Sequence, residues 1–417
     1  MADLVPPLRP LGEVTENLDA ARRPVKASER KPGPYPYYGA QGVVDYVDRY
    51  LFDGEFVLVA EDGENLRSRK EPIAMMAWGK FWVNNHAHII RGGKEADTRY
   101  LHYAINAADI SGYVTGSTIP KLSQGNLNRL LIPCPQVAEQ RAIASILSAL
   151  DDKIELNRQM NETLEATART IFKDWFVDFG PTRAKAEGRA HYLASDIWFL
   201  FPDRFDEEGK PHGWSRVELG SVTSDLRRGI SPAYVELGGV RVLNQKCIRN
   251  RQVDPTFSRR HDPTKRAVDG RTLEVGDILV NSTGVGTLGR TAQLWEVDEP
   301  TVVDSHITVV RADGNRVSAC YLGLNLTGRE SEIEALGEGS TGQTELARTR
   351  LSLLPLLLPP ARVQSEFEKT VQPLSDRIVA NARERRALAT TLTFLLPKLI
   401  SGEVRVKDAE KIVGDAT

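Results

Sequence analysis

Residues 139–176 read EQRAIASILSALDDKIELNRQMNETLEATARTIFKDWF, and residues 363–400 read VQSEFEKTVQPLSDRIVANARERRALATTLTFLLPKLI. Laid side by side, the two stretches are copies of one pattern. Leu150 answers to Leu374, Asp152 to Asp376, Ile154 to Ile378, Asn157 to Asn381 and Leu164 to Leu388, each pair 224 residues apart. Positions stepping by alternating fours and threes hold Ile143, Leu147, Leu150, Ile154, Asn157, Asn161, Leu164, Ala168, Ile171 and Trp175 in the first copy. The matching positions of the second hold Phe367, Val371, Leu374, Ile378, Asn381, Arg385, Leu388, Leu392, Leu395 and Leu399. Apolar residues at this spacing make one stripe along a helix, and such a stripe packs on another helix. Asn157 and Asn381 interrupt both stripes at the same step, a polar choice that fixes register at some cost in stability. The alternative is that each helix packs only on its own domain. Against it stands length: roughly 38 helical residues at 1.5 Å each reach about 57 Å, more than one small domain covers. Pro373 predicts a bend or a late start in the second helix.

Matches continue outward from the helices. Gly116-Ser117-Thr118 corresponds to Gly339-Ser340-Thr341, and Gly54–Val59 to Gly276–Asn281. His86 and Arg91 correspond to His306 and Arg311, and Leu11-Gly12-Glu13-Val14 to Leu219-Gly220-Ser221-Val222. The offset drifts through the middle of each copy and locks in the helix, as expected of two divergent globular units that each feed a similar long helix. The units read as mixed. Glu55–Ala60, Lys80–Ile90, Gly276–Ser282 and Thr301–Val310 are strand-like, rich in β-branched or aromatic residues and bounded by turn formers. Ser318–Leu326 and Glu330–Leu336 read as helices. The expected fold is α+β: two mixed domains in tandem pseudo-repeat, each followed by a long helix. The expected boundaries are 1–135 for the first domain, 136–179 for the central helix, 180–213 for a connector, 214–360 for the second domain and 361–417 for the last helix and tail.

Composition bounds the function. Of 417 residues, 41% are hydrophobic and 26% charged, the balance of a globular protein. No stretch approaches the roughly 20 apolar residues of a membrane span, and residues 1–10 lack the order of a signal peptide. Cys134, Cys247 and Cys320 are scattered and odd in number, which predicts no disulfide framework and no zinc site and fits a reducing cytoplasm. A net charge of −2 argues against indiscriminate coating of DNA but permits a local basic face.

Enzyme motifs fail on inspection. Gly284-Val285-Gly286-Thr287-Leu288-Gly289 fits a dinucleotide fingerprint, yet Arg290–Val297 alternates like a strand, so no helix N-terminus would receive the phosphate. Gly337-x4-Gly342-Gln343-Thr344 has glutamine where a phosphate loop needs lysine. Asp203 and Glu208-Gly209-Lys210 lie too close together for a nuclease's metal carboxylates on neighbouring strands. His86, His88 and His102 lack a cysteine or carboxylate cluster at ligand spacing, so structural hydrogen bonding is the expected role. There is no Gly-x-Ser-x-Gly elbow and no Asn-Pro-Pro-aromatic methyltransferase motif. No catalytic residue and no metal site is expected.

Charge points to nucleic acid. Between Arg227 and Arg271 stand eleven lysines and arginines against four acids, an excess suited to phosphates. The candidate DNA contacts are Tyr38 and Gln41 on an expected loop, Arg67, Arg69 and Lys70, and Lys121 after the Gly-Ser-Thr turn. In the second unit they are Lys246, Arg249, Arg251, Arg290 and Gln343. Two similar modules on a rigid spacer suit two half-sites about 34 Å apart, one turn of a duplex.

The arrangement resembles the specificity subunits of Type I restriction–modification systems over nearly the whole chain. The resemblance is carried by Leu11-Gly12-Glu13-Val14, Pro36-Tyr37-Tyr38-Gly39-Ala40-Gln41-Gly42, Gly276-Asp277-Ile278-Leu279 and the Gly-Ser-Thr turns. It continues through Pro133-x-Pro135-x3-Glu139-Gln140, Ile171–Phe179 (IFKDWFVDF), Pro181-x-Arg183-Ala184-Lys185-Ala186-Glu187-Gly188 and Leu399–Val404. One departure is Val363-Gln364-Ser365-Glu366, where the family's Glu-Gln would open the second helix. The resemblance implies two target-recognition domains reading an asymmetric bipartite site in double-stranded DNA, and helices paired as an antiparallel coiled coil. It also implies two methyltransferase subunits docked on the chain and, in a complete system, two restriction subunits. S-adenosylmethionine, ATP and magnesium would belong to those partners, leaving this chain without a cofactor. Two alternatives stay open: a specificity subunit serving a fused methyltransferase–nuclease, and a coiled-coil scaffold that never touches DNA.

Overall fold

The structure is a computed structural model describing residues 5–339 and 344–416. It contains two helices of exceptional length, Val137–Phe176 and Ala361–Ser401. Both begin just past prolines, Pro133 and Pro135 in one case and Pro359-Pro360 in the other, residues that disfavour helix in whatever precedes them. The second helix starts at Ala361, well ahead of Pro373, and runs through it unbroken. The expected late start is therefore absent. Pro373 sits on the exposed side of the helix, between buried Val371 and Ser375, whose packing offsets its missing donor.

The chain divides into two compact units, and the division cuts both long helices near their middles. One unit holds the residues up to Arg158 and those from Arg383 onward; the other is Gln159–Ala382. In the first, Ile143, Leu147 and Leu150 share a core with Leu388, Leu395 and Leu399, while Ile154 and Leu392 pack against its edge. In the second, Ala168, Phe172 and Trp175 share a core with Val363, Phe367 and Val371, with Leu374 against it. Early residues of one helix meet late residues of the other in both units, so the pair is antiparallel. Leu164 and Ile378 are half-buried along the same seam. Its polar step is bridged by side-chain amides: Asn157 donates to Glu384 at 2.9 Å, Asn381 donates to Asn161 at 2.8 Å, and Asn161 donates to the Ile378 carbonyl at 3.1 Å.

The first unit is built on a six-stranded sheet in the order Thr15–Asn17, Ala87–Gly92, Phe52–Ala60, Ala74–Val83, Tyr35–Gly39, Gly42–Val47. Alternation along Phe52–Ala60 sends Val57 and Val59 toward the helices and Phe56 and Leu58 toward a second cluster around Phe81. The expected strand Lys80–Ile90 is the end of one strand and the start of the next. Between them Asn84 accepts from the amide of His86 at 2.8 Å, closing a turn. The second unit has two four-stranded sheets. One runs Thr223–Arg228, Ile307–Ala312, Ile278–Asn281, Thr291–Gln293; the other runs Tyr234–Val235, Arg259–His261, Val240–Leu243, Thr301–Val303. The expected strand Thr301–Val310 is likewise broken, by Asp304 accepting from the amide of His306 at 2.9 Å.

The pseudo-repeat extends to packing. In each unit the opening strand pairs with the strand just ahead of the long helix: Leu8–Pro10 with Leu131–Pro133, and Ser215–Glu218 with Pro355–Leu358. Gln140 and Gln364, 224 residues apart and buried, make the same bridge. Each accepts from the amide of the residue capping a shorter helix, Asp97 or Ser318, at 2.9 Å. Each also donates to the carbonyl of Pro135 or Pro359 at 2.8 Å. Tyr100 and Tyr321 repeat too, their hydroxyls donating to the carbonyls of Pro133 and Leu357. The sequence departure at Val363 therefore leaves the bridging glutamine in place.

The expected connector is more than a tether. It forms the helix Gly180–Ala186, buries Trp198 and Phe201, and leads into Trp214, which is buried as well. Phe201 packs edge-on to Trp175 at 5.2 Å and Trp214 to Phe179 at 5.8 Å, so the aromatic run that ends the first long helix is roofed by it.

Candidate nucleic-acid interface

The candidate residues divide by what already holds them. Tyr38 lies on the strand Tyr35–Gly39, not on a loop, packed edge-on to Phe81 at 5.6 Å; burial raises its pKa. Gln41 is exposed in the two-residue turn that follows, where Gly42 takes φ +117°, a conformation glycine adopts without strain. Arg67 donates to the carbonyls of Gly116 and Ser117 and so clamps the Gly-Ser-Thr turn. Arg69 closes the helix Asn65–Ser68 in the left-handed conformation and donates to the Asn106 carbonyl at 2.6 Å. Lys70 beside it is exposed. Lys121 pairs backbone with Thr115 and reaches Glu61 at 3.2 Å.

In the second unit, Arg290 donates to the Gly286 carbonyl at 2.8 Å, closing the glycine loop. Gly284, Gly286 and Gly289 all take positive φ, and the strand Thr291–Gln293 follows, so the loop does not itself open a helix. Arg249, Asn250, Arg251 and Gln252 form a tight hairpin whose two central residues sit at φ 50° and 63°. Neither is glycine, so the turn is strained unless tied down. It is tied: Arg251 donates to the Thr327 carbonyl at 3.0 Å, and Gln252 hydrogen-bonds Glu165 of the long helix. Lys246 and Arg249 remain exposed. Gln343 lies outside the described residues.

The three histidines of the first unit do not gather. His86 pairs with Asp62 at 2.8 Å, while His88 is wholly buried between Asp19 at 2.5 Å and the Leu122 carbonyl at 2.7 Å. Burial pushes His102 down to about 4, which keeps it neutral. Among the described residues no group of three or more His, Cys, Asp or Glu is placed to hold a metal ion. No helix among them is long and apolar enough to cross a membrane.

Two residues that sequence reasoning did not single out stand beside these: Arg259, inside the basic run, and Tyr234, whose ring it covers at 3.4 Å. Nothing local marks that pair, because the two residues meet only through sheet pairing.

This is a protein of two like modules on an antiparallel helix pair, with cationic and amide side chains at their surfaces. Residues 8–166 match the family model of the Type I restriction modification DNA specificity domain. A type I restriction enzyme specificity subunit of Methanocaldococcus jannaschii is 25% identical over 438 aligned positions, covering 96% of this chain and 93% of the other. A Haemophilus influenzae protein named as a specificity subunit of the same class is 39% identical over 142 residues, covering 34% of this chain and 36% of its own. The fold matches a crystal structure of the Type I system S subunit from M. genitalium, with a TM-score of 0.64 at 16% identity, over 96% of this chain and 97% of that one. Over nearly its whole length the chain is similar to a Type I restriction enzyme specificity subunit, and its first part carries the specificity-domain match.

Proposed function

We propose that this chain selects the DNA sequence for a Type I restriction–modification complex and catalyses nothing itself. Each module reads one half of an asymmetric bipartite site in double-stranded DNA. The antiparallel helices set the unread spacer and offer two like surfaces, one for each of two methyltransferase subunits; a complete complex adds two restriction subunits. S-adenosylmethionine, ATP and magnesium sit on those partners, and the complex works in the cytoplasm. One observation carries the reading: the Gln140 and Gln364 bridges repeat in detail between modules whose surfaces have diverged. A scaffold with two like ends needs the repeat but not the divergence; two half-sites need both.

The test is co-expression with the neighbouring methyltransferase in a methylation-free host, followed by single-molecule mapping of modified bases. Adenine methylation at one bipartite motif, absent without this chain, is the expected result. An unmodified genome, with both proteins soluble and associated, would reject the proposal.

A further inference from the structure

Eleven lysines and arginines lie between Arg227 and Arg271, and the second unit uses most of them internally. Arg227 is buried against Asp225 and the Arg271 and Thr272 carbonyls. Arg228 holds Glu345 and two carbonyls, Arg241 and Arg260 share Glu299, and Lys265 approaches Asp262. Arg251, Arg266 and Arg271 each donate to a backbone carbonyl. Lys246, Arg249 and Arg259 are left: all are exposed and, among the described residues, none forms an ion pair with an acid.

Two of the three are laid on aromatic rings. The Arg249 guanidinium carbon lies 4.7 Å from the Phe257 ring centre, and that of Arg259 lies 3.4 Å from the ring of Tyr234. The supports are fixed. Phe257 ends a short turn whose carbonyl accepts from Asn244 at 2.6 Å. Tyr234 is on the strand paired directly with Arg259–His261. Arg249 enters the hairpin fastened through Arg251 and Gln252. Phe257 and Arg259 are two residues apart, so the stacked guanidiniums belong to one surface.

Stacking spends the face of a guanidinium and leaves the N–H groups around its edge free. It also removes rotamer freedom before any ligand arrives, lowering the entropy lost on binding. Two parallel N–H donors on a held plane match O6 and N7 of guanine in the major groove. We infer that Arg249 and Arg259, steadied by Phe257 and Tyr234, are the guanine-reading side chains of the second module. Arg251 and Arg290 then hold loops in place. The inference rests on the DNA-specificity reading above.

The methylation map separates the two. A wild-type chain that directs no bipartite methylation sinks the underlying reading. If it does direct it, Arg249→Ala and Arg259→Ala each relax one G·C position of a single half-site, leaving the other half-site and the spacer unchanged. Discrimination at that position falls roughly 10- to 100-fold, the share of one bidentate contact. Arg259→Lys keeps the charge but loses the fork, so it relaxes the same position while the salt dependence of DNA affinity stays that of wild type, and it serves if the alanine variant fails to fold. An unchanged motif in all variants, relaxation at an A·T pair, or weakening that is uniform across sequences would each overturn the inference; the last would mark a phosphate contact.

Discussion

The same strand position is solved differently in the two modules. In the first it holds His88, wholly buried, with Asp19 on one ring nitrogen and the Leu122 carbonyl on the other. Glu61, Arg22 and Lys121 extend the network: Arg22 donates to Glu61 at 2.7 Å and to the Ala87 carbonyl at 2.9 Å. In the second module the equivalent residue is Thr308, whose hydroxyl meets that of Ser282 at 2.6 Å, and both are buried. One core is tied by charge and the other by a neutral pair. A shared backbone plan thus tolerates a charged tie at this position in one core and a neutral one in the other, because the group placed there finds a partner in each.

The largest expected effect breaks the charged side. Asp19→Asn leaves the other members of a buried network uncompensated, a change that costs roughly 3–5 kcal/mol. Hydrogen exchange should show the first module losing protection while the second keeps it. Equal losses in both would mean the modules do not differ as described. The pH dependence follows the same residues. Burial raises the pKa of Asp19, but its hydrogen bond to His88 and the charges of His88 and Arg22 outweigh that, and the net shift is downward. Glu61 is lowered as well: burial raises it, and Arg22, His88 and Lys121 pull it below its ordinary value. A carboxylate with a depressed folded pKa stabilises fully above its unfolded value, about 4, and the contribution is lost as pH falls through the folded value. The first module should therefore lose protection below about pH 4 through a route that Ser282 and Thr308 do not give the second.

A middle-sized effect tests what the modules share. Gln140→Ala and Gln364→Ala each strand a buried helix-cap amide and a proline carbonyl, at roughly 1–3 kcal/mol. Thermal or denaturant unfolding followed separately in each module should give similar losses. A marked inequality would show that one bridge is incidental.

Why some of this was legible and some not follows from where the information sits. A stripe such as Leu147, Leu150, Ile154 is written along the chain, so the helix pair and its pseudo-repeat can be read without coordinates. The strands Phe52–Ala60 and Ile278–Asn281 were legible for the same reason. Lys80–Ile90 and Thr301–Val310 looked continuous because the turn depends on one side chain, Asn84 or Asp304, accepting from an amide two residues on. The basic run was legible as a run. Which of its members face outward was not, because Arg228, Arg241 and Arg251 are consumed by partners distant in sequence. Gln140 and Gln364 stand at the 224-residue offset, but Val363-Gln364 reads in sequence as a departure, and the burial of both glutamines between proline and helix cap needed the fold.

The smallest effect concerns the seam that both modules share. Asn157 and Asn381 each donate one good hydrogen bond, yet the Oδ1 atom of each is buried without a partner. Leucine there would remove an unsatisfied acceptor and extend the apolar stripe, while taking one donor from a neighbour: Glu384 for Asn157, Asn161 for Asn381. Glu384 is half-buried and also meets Lys153 at 3.4 Å, so it keeps a partner when Asn157 is replaced. Asn161 is buried, so replacing Asn381 leaves its oxygen bare. Asn157→Leu should therefore raise stability by about 1 kcal/mol and Asn381→Leu should gain nothing, a difference that paired unfolding curves would resolve. Equal gains would mean the asparagines act as a symmetric register mark. Unequal gains would mean that the helices, like the modules they hold, have drifted apart in how they satisfy the same buried step.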